Sequence, residues 1–485
     1  MANQSKSMTD LTQWRAVDIV KALKAEKLTP HDLLDALKTR IGKVDAQVNA
    51  LPILCFERAR READHIMKRP VEERGVLCGL PVPIKDLDDV KGVRTSFGSV
   101  PFADNVASEN CFMVERLEGE GAIIYAKSNT PEFGAGGNTF NDVHGVTRNP
   151  HNLDMSAAGS SGGAAAALAS GTAWLAQGSD NAGSLRSPAS FCGVVGFRPT
   201  PGLVVRGPST HPYQTLLSNG PMARNVEDVA LFLDAMAGQD MRDPLSLPPT
   251  NASYLTAAQA RDKPLKVAFS ADLGITPVDP EIAEICRRAA QRFAEIGVAV
   301  EETSPDFSGV HECYHSLRAH EFSLSMNDMS DDIMAKLKPE LAENLEIGRR
   351  QNFGDIAKAT KTRGAIRKRV LTFFETYDLL LVPTTIVGPY PVEQRFVTSC
   401  NGHNFKTYID WLAIAYAITL VSLPALSLPC GYTRAGLPVG LQMVGRPRGE
   451  HALLASALVL EEALGLDLRP IEPKPNTVTT EEIPA

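Results

Sequence analysis

The amino-acid sequence predicts an α/β fold built on a mostly parallel sheet. Short apolar segments of strand length alternate along the chain with longer segments in which apolar residues recur at helical spacing. This alternation favours parallel pairing, because two parallel neighbours need a long crossover connection that a helix usually supplies. The predicted strands cover residues 80–84, 122–126, 194–197, 266–269, 379–382, 426–429 and 441–444.

Three regions are predicted along the 485 residues. Residues 1–70 form a helical N-terminal layer, in which the second helix begins at the Thr29-Pro30 cap signal. Residues 71–465 form the main α/β domain, and a charged helical insertion interrupts it at about 307–374. Residues 466–485 are rich in proline, threonine and glutamate, which predicts a loose C-terminal tail.

Composition and charge narrow the class of protein. A hydrophobic fraction of 44% with 22% charged residues is typical of a globular chain. The formal net charge of −8 is spread along the sequence, which argues against a nucleic-acid partner and against an anionic membrane surface. No apolar run reaches the length of a membrane span, and residues 1–11 lack the layout of a secretory signal. We therefore expect a cytoplasmic protein. Its eight cysteines are widely spaced without a Cys-x-x-Cys pair, so reduced thiols are expected.

The segment 156–163 (SAAGSSGG) is the most informative part of the sequence. An alanine-rich helix follows at 164–170, and a second glycine- and serine-rich turn lies at 178–189. Two such turns around one helix and one short strand bring N–H groups and hydroxyls together, which indicates a convergent polar site. The alternatives are a flexible linker and the G-x-S-x-G nucleophile elbow of α/β-hydrolases. The elbow needs a preceding apolar strand, which residues 149–154 do not predict.

Several motifs, in chain order, closely resemble those of the amidase signature family. They are GLPVPIKD at 79–86, GVTRNP at 145–150, GSSGG at 159–163, GSLRSPA at 183–189, GVVGFRPT at 193–200, LPA at 423–425 and GLPVGLQ at 436–442. The resemblance covers almost the whole chain. It implies a single large, mixed and mostly parallel twisted sheet covered by helices on both faces. It also implies an enzyme that hydrolyses a carboxylic amide or a closely related carbamate, aryl amide or ester.

By this resemblance, Lys85 is the base, Ser160 relays the proton, and Ser184 is the nucleophile that becomes acylated. The place of Lys85 at the end of the apolar strand 80–84 favours burial, which lowers the pKa of an amine and leaves it able to accept a proton. Family members hold the peptide bond before the relay serine in the cis form. The backbone N–H groups from Asn181 to Ser184 are the implied oxyanion hole.

The chain departs from the family beside the expected nucleophile. Family members commonly have Thr-Gly-Gly there, whereas this chain has Asn181-Ala182-Gly183. Alanine resists a positive φ, so either the turn needs none at Ala182 or its geometry differs. Asp180 is expected to order the turn through hydrogen bonds to the backbone, and Arg186 to brace the loop carbonyls.

The substrate contacts are less evident from the sequence. Gly134 lies in a segment that resembles a family loop beside the nucleophile, which predicts a backbone carbonyl directed at the substrate. Trp411 and Tyr416 lie on one apolar helix and are candidates to line the pocket, with core packing as the alternative. The expected partners are a small-molecule amide-type substrate and, because family members are often dimers, a second copy of the chain. Neither a metal nor a cofactor is expected.

Two alternatives to a stand-alone amide hydrolase remain. HECYH at 311–315 fits the H-E-x-x-H pattern of zinc peptidases, in which His311 and His315 would bind Zn²⁺, although no third ligand is compelling. The glutamyl-tRNA amidotransferase A-type chain shares the signature motifs but works inside a multi-subunit assembly. Its usual Tyr-Gly-Arg-Val-Ser-Arg-Tyr run is replaced here by PGLVVRG at 201–207, which favours the stand-alone enzyme.

Overall fold

Strands and helices alternate along most of the chain, as the sequence predicts. The structure is a computed structural model that describes residues 10–250 and 252–475. The helices in these ranges are α1 Ala16–Lys24, α2 Pro30–Val48, α3 Phe56–Ile66, α4 Phe112–Gly119, α5 Gly162–Ala169, α6 Arg186–Cys192, α7 Val226–Met236, α8 Tyr254–Ala260, α9 Pro280–Glu295, α10 Val310–Met326, α11 Asp331–Met334, α12 Pro339–Arg350, α13 Phe353–Phe373, α14 Ala413–Leu420 and α15 Glu450–Leu464.

The strands include all seven that the sequence predicts, here β2, β3, β9, β11, β13, β16 and β17. The full set is β1 Ile53–Leu54, β2 Pro81–Lys85, β3 Ile123–Ser128, β4 Phe140–Asn141, β5 Gly145–Val146, β6 Arg148–Asn149, β7 Asn152–Ser156, β8 Leu175–Asp180, β9 Val195–Arg198, β10 Ser218–Ala223, β11 Lys266–Phe269, β12 Ala299–Glu302, β13 Leu379–Pro383, β14 Ser399–Cys400, β15 His403–Asn404, β16 Ala425–Tyr432 and β17 Pro438–Gly445. Of the other ten strands in the described ranges, β8 is the short strand expected between the two glycine- and serine-rich turns, and the remaining nine are additional to the prediction.

Hydrogen bonds to side chains determine where the first two helices begin. The Thr29 hydroxyl accepts from the N–H of Asp32, and the Asp32 carboxylate accepts from the N–H of Thr29 at 2.8 Å. This reciprocal capping box confirms the predicted start of α2. The buried Asp228 carboxylate on α7 accepts from the N–H groups of Ala16 and Val17 at 3.0 and 2.9 Å. α1 is therefore tied directly to the main domain.

The larger sheet has eight strands in the order β12-β11-β13-β17-β16-β9-β10-β8. The predicted mixed sheet is confirmed, but its pairing is not mostly parallel. β12-β11 and β11-β13 are parallel, and the other five neighbouring pairs of this sheet are antiparallel. The connections explain the difference, because a short turn joins β16 to β17 and a loop without an α-helix joins β9 to β10. Neighbouring strands without a helical crossover pair in antiparallel fashion.

Helices cover both faces of the larger sheet, which confirms the predicted layering. Alternate side chains of a strand point to opposite faces of a sheet. Every residue of β17 is buried, so both faces of the sheet are covered at this strand. α6, α9 and α15 all pack against this strand. The centre of the sheet therefore lies in the main apolar core.

Two prolines separate a smaller sheet from the larger one. β1, β3 and β2 form a three-stranded sheet in which β2 runs parallel to β3. Of the alternate positions Pro81, Pro83 and Lys85 on β2, only Lys85 has an N–H, and it donates to the side-chain oxygen of Gln177 on β8 at 2.9 Å. Proline has no N–H with which to continue a ladder. The predicted single sheet is therefore two sheets that meet at β2 and β8.

A second, smaller apolar cluster joins the helical insertion to the loop around Gly134. α10 to α13 occupy the region predicted for the insertion. The buried members of the cluster are Ala135, Met326, Leu337, Leu341 and Leu345. Beside it, the N–H of Lys338 donates to the Glu132 carboxylate at 2.8 Å. The insertion is thus packed onto the main domain, while the domain boundaries at 70 and 465 stay predictions.

The described part of the C-terminal tail lies along the domain. The N–H of Ile471 donates to the carbonyl of Ala169 at 2.8 Å. Such bonds correct the prediction of a loose tail for residues 466–475, because backbone pairing holds this segment in place. The rest of the predicted tail, residues 476–485, lies outside the described residues, as do residues 1–9.

The sequence predicts neither a membrane-spanning segment nor disulfides. Within the described ranges, no helix is both long and apolar enough to cross a bilayer. All eight cysteines are without a disulfide, which agrees with the expectation of reduced thiols.

Gly163 on α5 offers a test of how closely this helix packs. A Cβ at this position would lie 2.7 Å from the carbonyl oxygens of Ala50 and Asn129, which are backbone atoms that no side-chain rotation can move away. We expect Gly163→Ala to lower the free energy of unfolding by about 1–3 kcal/mol, the usual cost of overpacking. Urea-induced unfolding followed by circular dichroism measures this change.

Gly42→Ala on α2 is the matched control. A Cβ at position 42 would meet no atom within 4 Å, so nothing has to move. This variant should raise the free energy of unfolding by about 0.4–1 kcal/mol, because alanine restricts the unfolded chain more than glycine does. Equal unfolding midpoints for the two variants would contradict the packing argument.

Candidate active site

The amine of Lys85 is surrounded by three serine hydroxyls. Lys85 is the last residue of β2 and is fully buried. Its Nζ lies 2.7 Å from Ser160 Oγ, 2.9 Å from Ser161 Oγ and 3.1 Å from Ser179 Oγ. The sequence predicts the first contact and misses the other two. Strand alternation was an available signal, because it places Ser179 on the face of β8 that carries Gln177, the partner of the Lys85 N–H.

Burial lowers the pKa of Lys85 to about 7. The cause is desolvation, which disfavours the charged ammonium in a site without water. The carboxylates of Asp88 and Asp180 oppose this shift without cancelling it. A large fraction of the amine is therefore neutral near pH 7.

The two glycine- and serine-rich turns are joined directly. The N–H of Ser161 donates to the carbonyl of Ser184 at 3.1 Å. The peptide bond between Gly159 and Ser160 is cis, as the family resemblance implies. A strand, β7, precedes this turn and ends at Ser156, but it is not the buried apolar strand that an elbow needs, since Asp154 is exposed. β7 pairs with β6 in a separate two-stranded sheet, so the sheet context of a nucleophile elbow is still missing.

Asp180 orders the second turn as expected from the sequence, whereas Arg186 holds it through the Asp180 carboxylate and not through the loop carbonyls. The Asp180 carboxylate accepts from the N–H groups of Gly183 and Leu185 at 3.0 and 3.1 Å. The Arg186 guanidinium donates to the same carboxylate at 2.8 and 3.0 Å. Burial alone would raise the pKa of Asp180, but Arg186 and Arg198 hold it well below its usual range. The turn is therefore built around a buried anion.

Three of the four N–H groups expected in the oxyanion hole are unpaired. Those of Asn181, Ala182 and Ser184 make no hydrogen bond to any described residue. The N–H of Gly183 donates to Asp180, so Gly183 has to be removed from the predicted set. The turn needs a positive φ at Gly183 (104°) and not at Ala182, which explains why alanine is accommodated there.

Ser160 and Ser184 line one cavity of about 450 Å³. Gly134 lines it too, as predicted, and a Cβ on Gly134 would lie 3.5 Å from Ser160 Oγ. Ser161 is fully buried and does not line the cavity. Apolar side chains form one part of the wall, namely Leu87, Phe97, Phe133, Leu217, Phe322 and Met326.

The charged part of this cavity is not predicted from the sequence. Asp88, Asp89, Arg206 and Glu321 contribute to it. Burial raises the pKa of Glu321 to about 7, although nearby arginines oppose the shift. Of these four residues, only Arg206 could have been singled out from the sequence, because it lies in the run 201–207 where the chain departs from the amidotransferase pattern.

Trp411 and Tyr416 do not line the cavity, which corrects the prediction that they contact substrate. Both side chains are fully buried. Trp411 packs edge-on against Tyr390 with ring centroids 5.8 Å apart, and Tyr416 stacks on Tyr314 at 4.1 Å. Both residues therefore pack in the core, as the alternative interpretation expects. Apolar spacing marks a buried helix face but does not say whether a cavity lies against it.

His311 and His315 lie on α10 but do not converge on a metal site. His311 Nε2 lies 3.0 Å from the carbonyl oxygen of Ile275, and its Nδ1 lies 2.6 Å from the Tyr416 hydroxyl. His315 Nε2 pairs with the Asp410 carboxylate at 2.8 Å. In the part of the chain that the structure describes, no group of three His, Cys, Asp or Glu side chains is arranged to hold a metal ion. The geometry therefore gives the zinc-peptidase alternative no support.

Comparison with known proteins agrees with the motifs. The profile of the family described as Amidase matches residues 32–454. An acylamidase of Rhodococcus erythropolis is 36% identical over 451 residues, which cover 92% of this chain and 94% of the relative. The A-type chain of the glutamyl-tRNA(Gln) amidotransferase of Moorella thermoacetica is 35% identical over 474 residues, which cover 92% of this chain and 96% of the relative.

The fold is shared with solved structures as well. A bacterial aryl acylamidase of the amidase signature family superimposes with a TM-score of 0.87 at 26% identity. The match covers 94% of this chain and 97% of that chain. On the motifs, the profile match and these similarities, the chain belongs to the amidase signature family and is an amidase.

Proposed function

We propose that this amidase works through an acyl-enzyme on Ser184, with Lys85 as the base and Ser160 as the proton relay. The observation that carries the proposal is the buried Lys85 amine, 2.7 Å from the Ser160 hydroxyl, at a cavity that Ser184 also lines. A neutral amine has two N–H donors and one lone pair, so it can donate to two of its three hydroxyl neighbours and accept from the third. If the Lys85 amine accepts from the Ser160 hydroxyl, the proton of Ser184 can reach Lys85 through Ser160.

Acylation is the first half of the proposed reaction. Ser184 Oγ forms a bond to the amide carbonyl carbon, and its proton passes through Ser160 to Lys85. The carbonyl electron pair moves onto oxygen, which becomes an oxyanion. When that pair returns, the C–N bond breaks and Lys85 gives the proton back through Ser160 to the leaving nitrogen. An amine departs, and an ester remains on Ser184.

Hydrolysis of the ester is the second half. Water loses a proton to Lys85 through Ser160, and its oxygen forms a bond to the ester carbonyl carbon. The bond from that carbon to Ser184 Oγ then breaks, and the serine oxygen recovers a proton by the same path. A carboxylic acid leaves, and the resting enzyme is restored.

The N–H groups of Asn181, Ala182 and Ser184 are the proposed donors to the oxyanion. They belong to a turn that the Asp180 carboxylate fixes through the N–H groups of Gly183 and Leu185. Donors that are fixed before the reaction need no reorganisation as charge develops, and each is typically worth about 3 kcal/mol in the transition state. Gly183 is left out because its N–H is already bound to Asp180.

An aromatic or other apolar group on the substrate is part of the proposal. Phe97 and Phe133 stack with centroids 5.8 Å apart, and together with Phe322 they form a wall of the cavity. A cavity of about 450 Å³ suits a small organic molecule. The similarity to an acylamidase and to an aryl acylamidase supports the same class. We therefore propose acyl and aryl amides as substrates, with carbamates and esters as side activities.

A second candidate function is that of the A-type chain of an amidotransferase. Its support is the 35% identity to the Moorella thermoacetica protein of that name. The run 201–207, where this chain departs from the amidotransferase pattern, reaches the cavity through Arg206 and Gly207. A different cavity wall favours a different substrate, so the stand-alone amidase is the first candidate.

Removal of the Ser184 hydroxyl should abolish turnover. We expect Ser184→Ala to lower kcat on an aryl amide by about 10³- to 10⁶-fold, because no acyl-enzyme can form. Steady-state rates measure the loss, and intact-mass spectrometry of quenched wild-type reactions detects the acyl adduct. Ser218→Ala is the control, since the buried Ser218 hydroxyl has no described partner, and it should keep wild-type turnover. An adduct on Ser161, or full turnover by Ser184→Ala, would overturn these roles.

The activity should fall as the pH drops through about 7. Only neutral Lys85 can accept the proton of Ser184, and burial places its pKa at about 7. On the acid side, kcat/KM should fall about tenfold for each pH unit, and above the pKa it should level off. The pH dependence of kcat/KM on a neutral aryl amide measures this profile.

Glu321 supplies the control for the pH profile. It lines the same cavity, and its pKa is also about 7. If Lys85 is the group that titrates, kcat/KM of Glu321→Gln should still fall as the pH drops below about 7. If kcat/KM of Glu321→Gln no longer falls at acid pH, the titrating group is Glu321, and the role of Lys85 is contradicted.

The two candidate functions differ in what the isolated chain should hydrolyse. As a stand-alone amidase, the purified protein should prefer an aryl amide over glutamine by at least about 100-fold in kcat/KM, because the cavity has an aromatic wall. Release of arylamine and of ammonia from the two substrates measures the ratio. A preference for glutamine would favour the amidotransferase function instead.

A further inference from the structure

Tyr314 of the helical insertion reaches the turn that carries Ser184. It is fully buried on α10, inside the segment that resembles a zinc motif. Its hydroxyl donates to the side-chain oxygen of Asn181 at 2.7 Å, across 133 positions of the chain. Asn181 is the first residue after β8 and lines the cavity. An element distant in sequence therefore contacts the proposed oxyanion loop directly.

This contact depends on a residue at which the chain departs from its family. The resembling sequences commonly have threonine where this chain has Asn181. The threonine hydroxyl is attached to Cβ, whereas the asparagine oxygen is attached to Cγ and extends one bond farther from the backbone. A threonine would therefore end short of the Tyr314 hydroxyl. Asn181 and Tyr314 are matched to one another in length and in hydrogen-bonding character.

The neighbours of Tyr314 determine where its ring lies. The ring stacks on Tyr416, with centroids 4.1 Å apart and planes 4° from parallel. The Tyr416 hydroxyl lies 2.6 Å from His311 Nδ1, and His311 Nε2 lies 3.0 Å from the carbonyl oxygen of Ile275. A carbonyl only accepts, so Nε2 donates to Ile275, and Nδ1 is left to pair with the Tyr416 hydroxyl. The ring that supports Tyr314 thus belongs to the main domain and is itself hydrogen-bonded to His311, which lies on the same helix as Tyr314.

We propose that Tyr314 is a positioning residue for the oxyanion loop of this amidase. It binds the Asn181 side chain from outside the cavity and so holds the N–H groups of Asn181 and Ala182 at the cavity wall. Asp180 holds the other end of the same turn. Tyr314 does not line the cavity, so it acts on the developing oxyanion and not on substrate binding. The inference rests on the proposed function, in which these N–H groups stabilise the oxyanion.

Tyr314→Phe removes the hydroxyl and keeps the stacked ring. We expect kcat on an aryl amide to fall about 10- to 100-fold, a part of what the loss of a whole oxyanion donor costs, and KM to change less than about twofold. Tyr408→Phe is the matched control, because Tyr408 is a buried tyrosine whose hydroxyl contacts Arg318 at 2.7 Å and Asn344 at 2.8 Å, both on the insertion. It should leave kcat and KM near their wild-type values.

A trifluoromethyl ketone separates positioning from a general loosening of the site. Ser184 adds to the ketone carbonyl and forms a tetrahedral oxyanion, whereas a product carboxylate binds without one. Tyr314→Phe should weaken the ketone by the same factor as kcat and leave the affinity for the carboxylate unchanged. Equal weakening of both ligands would mean that Tyr314 has a structural role only, and would overturn the proposal.

Asn181→Leu keeps the proposal testable even where Tyr314→Phe fails to fold. Leucine has a similar branched shape without an acceptor, and the backbone N–H at 181 remains. This variant should lower kcat as Tyr314→Phe does, and the double variant should show no further loss, because the hydroxyl acts through that one oxygen. Additive losses, or wild-type kcat in both single variants, would overturn the proposal. Failure of the proposed function is distinct, since the wild-type protein would then form no adduct with the ketone at Ser184.

Discussion

The buried carboxylate of Asp180 is the interaction on which the rest of the site depends. It stands at the end of β8 and binds the N–H groups on both sides of Ser184, those of Gly183 and Leu185. An unpartnered carboxylate at this depth would be costly, but the Arg186 guanidinium and the two N–H groups compensate for the lost water. Removal of one partner would leave a buried charge behind. The strand end, the turn and the start of α6 therefore behave as one unit.

The same ion pair affects the proposed base. The Asp180 carboxylate favours the ammonium form of the buried amine and so opposes the lowering of the Lys85 pKa. Arg186 and Arg198 keep Asp180 charged, and desolvation of Lys85 outweighs the effect of that charge on its pKa. The geometry of the turn and the protonation state of the amine thus depend on one carboxylate. This coupling explains why a strand end, a glycine turn and a helix start have to meet at the same buried point.

The helical insertion contributes more to the site than its charged sequence indicates. α10 supplies Tyr314 to the turn and Phe322 to the cavity wall. The segment between α11 and α12 packs against the loop around Gly134 through the second apolar cluster and through the Lys338 N–H. The signature motifs thus provide the proposed reacting groups, while the insertion contributes to the cavity wall and packs against the loop around Gly134. Under the proposed function, substrate preference would therefore depend on the insertion as well as on the motifs.

The sequence by itself determined the α/β class and seven strands, because apolar periodicity is a local pattern. Its resemblance to the amidase signature motifs indicated Lys85, Ser160 and Ser184 as the candidate trio. Only the tertiary structure decided the mainly antiparallel pairing, the separation of the smaller sheet, the place of Ser179 beside the amine and the pairing of the Gly183 N–H with Asp180. Each of these depends on which backbone or side-chain group already has a partner. Such partners come from residues far apart in the chain, and no local pattern records them.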